Sequence, residues 1–169
     1  MSHSPAPSAT SIRSATRADV PAILAFIREL AEYEHLSHEV VATEELLGAA
    51  LFGPHPEAEV LMACADGEPV GFALFFANFS TFQARPGLYL EDLFVRPGFR
   101  GLGLGKRLLI EVARLAVARG CGRYEWSVLD WNEPSIKFYE SLGAEMHASW
   151  RRMRVTGPAL EELAARRAD

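Results

Sequence analysis

YLEDLFVRPGFRGLGLGKRLL, residues 89–109, decides how this chain is put together. It opens on an apolar stretch interrupted by two carboxylates, Glu91 and Asp92, and this part of GLYLEDLFV reads as a strand buried on both faces. It closes on KRLL, the start of a long helix. Between them three glycines alternate at 101, 103 and 105 behind Arg100. Glycine costs a helix about 1 kcal/mol relative to alanine and is cheap in a turn, so something here wants bare backbone. A strand, a glycine loop and a helix start can aim successive backbone N–H groups at a phosphate, with Arg100 as a positive partner. A glycine-rich turn that only permits tight packing remains the alternative. Two nucleotide motifs fail residue by residue. The spacing is G-x-G-x-G rather than G-x-G-x-x-G, with no acidic residue in place for a ribose. A P-loop needs glycine where Arg100 stands and Ser or Thr where Arg107 stands.

Outward from this stretch the pattern is mixed. SIRSAT reads as a short strand, and RADVPAILAFIRELAEYE as a helix with Ile23, Phe26, Ile27 and Leu30 at helical spacing behind Asp19 and Pro21. Thr43 opens a second short helix that GPHP stops. EVLMACA, Asp66-Gly67 and VGFALFFANF form a β-hairpin. The helix beginning KRLL carries the stripe Leu104, Leu108, Val112 and Leu115, with Arg107 and Glu111 paired on its polar side. RYEWSVLD is a strand, NEPSIKFYESLG a helix closed by Gly143, WRRMRV a last strand, and PALEELAARRA a terminal helix. The order β-α-β-α in the second half joins one sheet. Residues 1–10 read as a disordered tail and residues 11–169 as one domain.

The totals narrow the function classes. At 169 residues, 49% hydrophobic and 23% charged, the chain is an ordinary globular protein. A net charge of −5 argues against a nucleic-acid partner and for cationic ligands. No apolar run approaches the ~20 residues of a membrane span, so no membrane association is expected. Cys64 and Cys121 stand apart with no ligand-type neighbours, which reads as two buried, reduced thiols in a cytoplasmic protein and no metal.

Val95, Pro97, Arg100, Gly103 and Gly105 resemble the R-x-x-G-x-G acyl-CoA signature of the GNAT N-acetyltransferase superfamily. YLEDLFV resembles its central strand, and WNEPSIKFYESLGA its helix with a conserved-motif tyrosine. Within the superfamily the chain is most similar to the diamine (spermidine/spermine) and thialysine acetyltransferases, through YLEDLFV, VLDWNEPSIKFYESLGA and IRELAEYE. The resemblance implies an α+β fold: a mixed, mostly antiparallel sheet, splayed between the YLEDLFV and RYEWSVLD strands where the cofactor enters, and flanked by helices. It implies acetyl-CoA as co-substrate, a small-molecule primary amine as acceptor, and a homodimer.

The resemblance also distributes roles. Glu91 becomes the substrate-side base or cation anchor, and Tyr139 the general acid that protonates the leaving thiolate. Tyr33, Glu34 and Asp92 join Glu91 in binding the amine. The cofactor falls to the backbone of Leu93, Phe94 and Val95, to Arg100, Gly101, Leu102, Gly103, Leu104, Gly105 and Lys106, and to Asn132, Ser135 and Tyr139. Physical chemistry supports the roles. An alkylammonium titrates near pH ~10, so attack on a thioester requires a proton acceptor, and a phenol can hand a proton to a thiolate. Asn132 also fits a helix N-cap. Adjacent strand residues point to opposite faces, so Glu91 and Asp92 are expected to diverge. The polyamine enzymes carry extra acids where this chain has Thr81, and again near Trp150, which Arg151 and Arg152 follow here. Those arginines repel a polycation and suit an amine bearing a carboxylate. A protein N-terminal or lysine acetyltransferase, and an acetyl-CoA-binding domain without turnover, are the alternatives.

Overall fold

Five strands, β1 (Thr10–Ser14), β2 (Glu59–Ala65), β3 (Glu68–Ser80), β4 (Arg85–Val95) and β5 (Arg123–Trp126), lie side by side in chain order. The first four pair antiparallel and β5 joins β4 parallel, the mixed, mostly antiparallel sheet expected. The structure, a computed structural model, describes residue 7 and residues 9–166. Most of the expected tail, residues 1–6 and 8, lies outside the described residues, and Thr10 already pairs with Ala65. Among the described residues the α-helices are α1 (Val20–Tyr33), α2 (Glu44–Phe52), α3 (Leu104–Ala118), α4 (Glu133–Glu140) and α5 (Pro158–Ala165). The chain divides into two compact units, Met1–Ser127 and Val128–Asp169.

In the first unit, period-two alternation sorts the strands' side chains between two faces. Val60, Met62 and Cys64 of β2, with Phe72, Leu74 and Phe94, pack against Ile23 and Phe26 of α1 and Leu51 of α2. The Phe26 ring stacks on Phe72 at 5.7 Å and tilts against Phe94 at 6.1 Å. Leu61, Ala63 and Ala65 alternate to the other face, and α3 contributes Leu104, Leu108, Leu109, Val112 and Ala116 to the core. Asp66 and Gly67 take the two positive φ angles, +49° and +88°, that a two-residue hairpin turn demands.

Several sequence expectations shift. Helix α3 starts at Leu104, two residues before KRLL. Arg107 turns from Glu111 to donate to Thr10 Oγ1 at 2.7 Å, while Glu111 pairs with Arg114. Cys64 is buried, but Cys121 is only half-buried. β4 is not sealed on both faces, because Glu91 is exposed. β5 ends at Trp126 rather than running to Asp130.

In the second unit, α4 and α5 are helical as expected, and Gly143 has φ +91°. Residues 151–156 form no strand, and 150–155 are exposed. Trp-Arg-Arg-Met-Arg-Val breaks period-two alternation at Arg151-Arg152, so no single apolar face runs along it.

Candidate active site

The centre of β4 departs from regular alternation at its two carboxylates. Leu74 pairs with Asp92 and Phe75 with Leu90, so Glu91 is an extra residue on β4 with no place in the ladder. Such a bulge bends the strand and re-aims its side chains. The divergence of Glu91 and Asp92 expected from a regular strand is therefore suspended. Glu91 is exposed and Asp92 half-buried. Burial pushes the Asp92 carboxyl up to about 7, and the charges of Glu91 and Glu34 push the same way. Glu34 is itself raised by burial. Three acidic groups expected at the amine site thus act on one another.

Glu34 is brought there by the end of α1. The helix stops because His35 takes a left-handed φ of +61°. His35 N donates to Glu32 O at 3.1 Å, and Leu36 N to Ala31 O at 2.8 Å. That turn leaves Tyr33 at the helix end, 39% exposed, beside the half-buried Glu34. Arg100 comes to the same place, its guanidinium 5.5 Å from the Tyr33 ring and 6.0 Å from that of Phe94. Its Nε donates to Val95 O at 3.0 Å.

The glycine loop has an open floor. Gly101 and Gly103 have φ of +83° and +73°, a region that favours glycine, and a Cβ on either would meet nothing within 4 Å. Gly105 differs, since it lies in the first turn of α3 with no such backbone requirement. A Cβ there would meet only Val95 Cγ2, at 4.0 Å. Packing thus demands no glycine at 105, where alanine would serve the helix better, and the bare N-terminal turn has room that a Cβ would begin to fill. Leu104 is 1% exposed as a whole residue and belongs to the core, while Leu102 and Lys106 are exposed.

Alongside, β5 pairs with β4 only from Gly87 to Leu90, ending at Trp126, while β4 runs on through Leu93, Phe94 and Val95. Tyr89 and Ser127 share a hydroxyl hydrogen bond of 2.7 Å where the two strands part. The pairing stops at Leu90, before Leu93, Phe94 and Val95.

In the second unit Asn132 is 7% exposed and caps α4, its Oδ1 accepting from Ser135 N at 3.4 Å. Ser135 and Tyr139 are half-buried one turn apart, and the Tyr139 ring lies 5.4 Å from that of Phe138. Sequence reasoning passed over Glu29 and Arg96. They are 67 residues apart and joined by three hydrogen bonds of 2.6–3.1 Å, and the one local signal is that Glu29 shares a helix face with Tyr33, four residues on.

Comparison with known proteins gives a consistent answer. Residues 22–144 match the acetyltransferase (GNAT) family. The chain is 40% identical to the thialysine N-epsilon-acetyltransferase of Sus scrofa, over 92% of its own length and 97% of that protein. It is 35% identical to the L-ornithine N5-acetyltransferase of Arabidopsis thaliana, covering 90% of this chain and 86% of the relative. Among solved structures, an integron cassette protein from V. cholerae superposes with a TM-score of 0.77 at 26% identity, over 93% of this chain and 98% of that one.

Proposed function

This chain belongs to the acetyltransferase (GNAT) family and is an acetyltransferase of that type, and we propose that it moves an acetyl group from acetyl-CoA to the side-chain amine of a small amino acid. The observation that carries the reading is the acidic cluster of Glu34, Glu91 and Asp92, built where the β4 bulge meets the end of α1. Its charge suits an ammonium group. The relatives named for thialysine and ornithine act on amines that also bear a carboxylate, which Arg151 and Arg152 suit better than they suit a polycation. The family match runs across both units of the chain, which supports one acetyltransferase domain.

Acetyl-CoA supplies an activated acyl carbon and a thiolate leaving group. Gly101, Gly103 and Gly105, with the open N-terminal turn of α3 and Arg100, hold its phosphates, and Leu102, Leu104 and Lys106 add backbone N–H groups. The β4 backbone at Leu93, Phe94 and Val95 pairs with the amide arm as an added strand would, and Asn132 and Ser135 contribute from the start of α4. Glu91 draws the ammonium and accepts its proton directly or through water, with Asp92 as the second acidic support and Tyr33 and Glu34 lining the approach. The freed lone pair forms the C–N bond. As the C–S bond breaks, Tyr139 gives its phenolic proton to the sulfur, and the second proton shed by the nitrogen passes through water to restore the phenol.

Thiol release at pH 8 to 9 tests this across thialysine, ornithine, lysine, putrescine, spermidine, spermine and a peptide with a free N-terminus. Turnover of the amino-acid amines without spermine is expected. Preference for the peptide would move the assignment to protein acetylation, and acetyl-CoA binding with no turnover would make the chain a sensor.

A further inference from the structure

Phe26, Glu29 and Tyr33 occupy positions i, i+3 and i+7 of α1 and so form one stripe along the helix. Two arginines from the segment after β4 meet that stripe. Arg96 donates Nε to both carboxylate oxygens of Glu29 at 3.1 Å and Nη2 to Oε1 at 2.6 Å, with its guanidinium 4.8 Å from the Phe26 ring. Four residues on, Arg100 lies over Tyr33. The base of Arg96 is fixed as well, because its backbone N–H donates to Val70 O at 3.0 Å and so extends the sheet. A short, stiff path therefore runs from β3 and β4 through Arg96 to Glu29, one turn before Tyr33 and Glu34.

The path matters at the very end of α1. Its buried residues are Val20, Ile23, Leu24, Phe26 and Ala31, with Ile27 and Leu30 also packed on the core, and none follows Ala31. Tyr33 and Glu34 then depend on the placement of a helix end that closes on a non-glycine residue at φ +61°. We propose that the Arg96–Glu29 pair is a positioning device of the amine site: it sets the last turn of α1, and with it Tyr33 and Glu34, against the β4 carboxylates. The proposal rests on the amine-acetyltransferase reading. Arg96 and Glu29 are positioning residues, acting through Tyr33 and Glu34. Their side chains are 40% and 35% exposed, so the pair contributes little to overall stability. Its forked geometry instead fixes orientation.

Charge and position make opposite predictions for one variant. Arg96→Met frees the Glu29 carboxylate, and extra negative charge alone would lower KM for an ammonium substrate. Loss of positioning raises it. The test measures amine KM, acetyl-CoA KM and kcat for Arg96→Met, Glu29→Gln, the double variant and Arg96→Lys, using the panel's best amino-acid amine. Hydrogen exchange of the Glu34, His35 and Leu36 amides is followed in parallel. We expect amine KM to rise five- to twentyfold in Arg96→Met and in the double variant, with partial recovery in Arg96→Lys. Acetyl-CoA KM and kcat should stay within twofold, and the three amides should exchange faster. An amine KM that falls in Arg96→Met, or that stays within twofold of wild type in the double variant, overturns the proposal. If the wild-type protein turns over no amine, it is the amine reading that fails. Amide exchange then decides the clamp by itself, and unchanged exchange in the double variant overturns it.

Discussion

Replacing Asp92 by Asn should make the protein more stable at pH 8 and a poorer enzyme. The folded chain raises this carboxyl from 3.8 to about 7, through burial first and then through Glu91 and Glu34. The unfolded chain therefore loses the proton near pH 4 and the folded chain near pH 7. Between those values the native state binds more protons, so wild-type stability falls as pH rises, and the loss is complete above pH 7. At ~1.4 kcal/mol for each pH unit between the two values, the upper bound is about 4 kcal/mol. Asp92 is half-buried, and water reaching the carboxylate screens the cost, so about 2 kcal/mol is the expected gain for the neutral amide. For a chain of this length that is about 5 °C in Tm. Urea unfolding of both proteins from pH 4 to 8 should give curves that diverge with rising pH and nearly meet at pH 4. The same variant should lose about 10- to 100-fold in kcat/KM for the amine, because the ammonium loses an anchor. An Asp92→Asn protein no more stable than wild type at pH 8 would refute the electrostatic argument for the cluster.

Tyr139→Phe should keep acetyl-CoA affinity, measured by calorimetry, and lose about 10²- to 10³-fold in kcat; unchanged turnover removes the phenol from the mechanism. Gly105→Ala should gain about 0.5–1 kcal/mol in thermal unfolding, since its Cβ meets only Val95 Cγ2 at 4.0 Å. Acetyl-CoA KM should nonetheless rise about tenfold, and an unchanged KM would mean that this turn is not the cradle. Asp19 is held at about 2 by hydrogen bonds from Arg13, at 2.7 and 2.8 Å, and from Thr16. Its contribution is complete above pH 4 and is lost as pH falls toward 2, so Asp19→Asn should cost about 2 kcal/mol at pH 7 and progressively less below pH 4.

The glycine loop was legible because its chemistry is local. Alternating glycines ahead of an apolar stripe state a backbone requirement within a dozen residues, and Gly101 and Gly103 indeed take left-handed φ. The start of α4 was legible for the same reason, since Asn132 and Ser135 form the cap across three residues. The bulge at Glu91 was not, because it is a mismatch in count between two strands and has no signature in either alone. Arg107 has a good partner four residues away in Glu111, yet it bonds to Thr10, 97 residues distant, because packing α3 on the sheet brings β1 within its reach.

By itself the sequence determined most of the elements, the strand expected over 150–155 excepted, because backbone preferences and apolar periodicity act over short stretches. The family of reaction came from motifs that resemble those of the GNAT acetyltransferases. Tertiary structure decided which charges meet. Register raised Glu91 out of the β4 ladder, the end of α1 brought Glu34 within electrostatic reach of Asp92, and Arg96 found Glu29 across 67 residues. Local propensity acts over a turn or two of chain, whereas the burial of a carboxylate and the charges around it are fixed only once distant segments pack together.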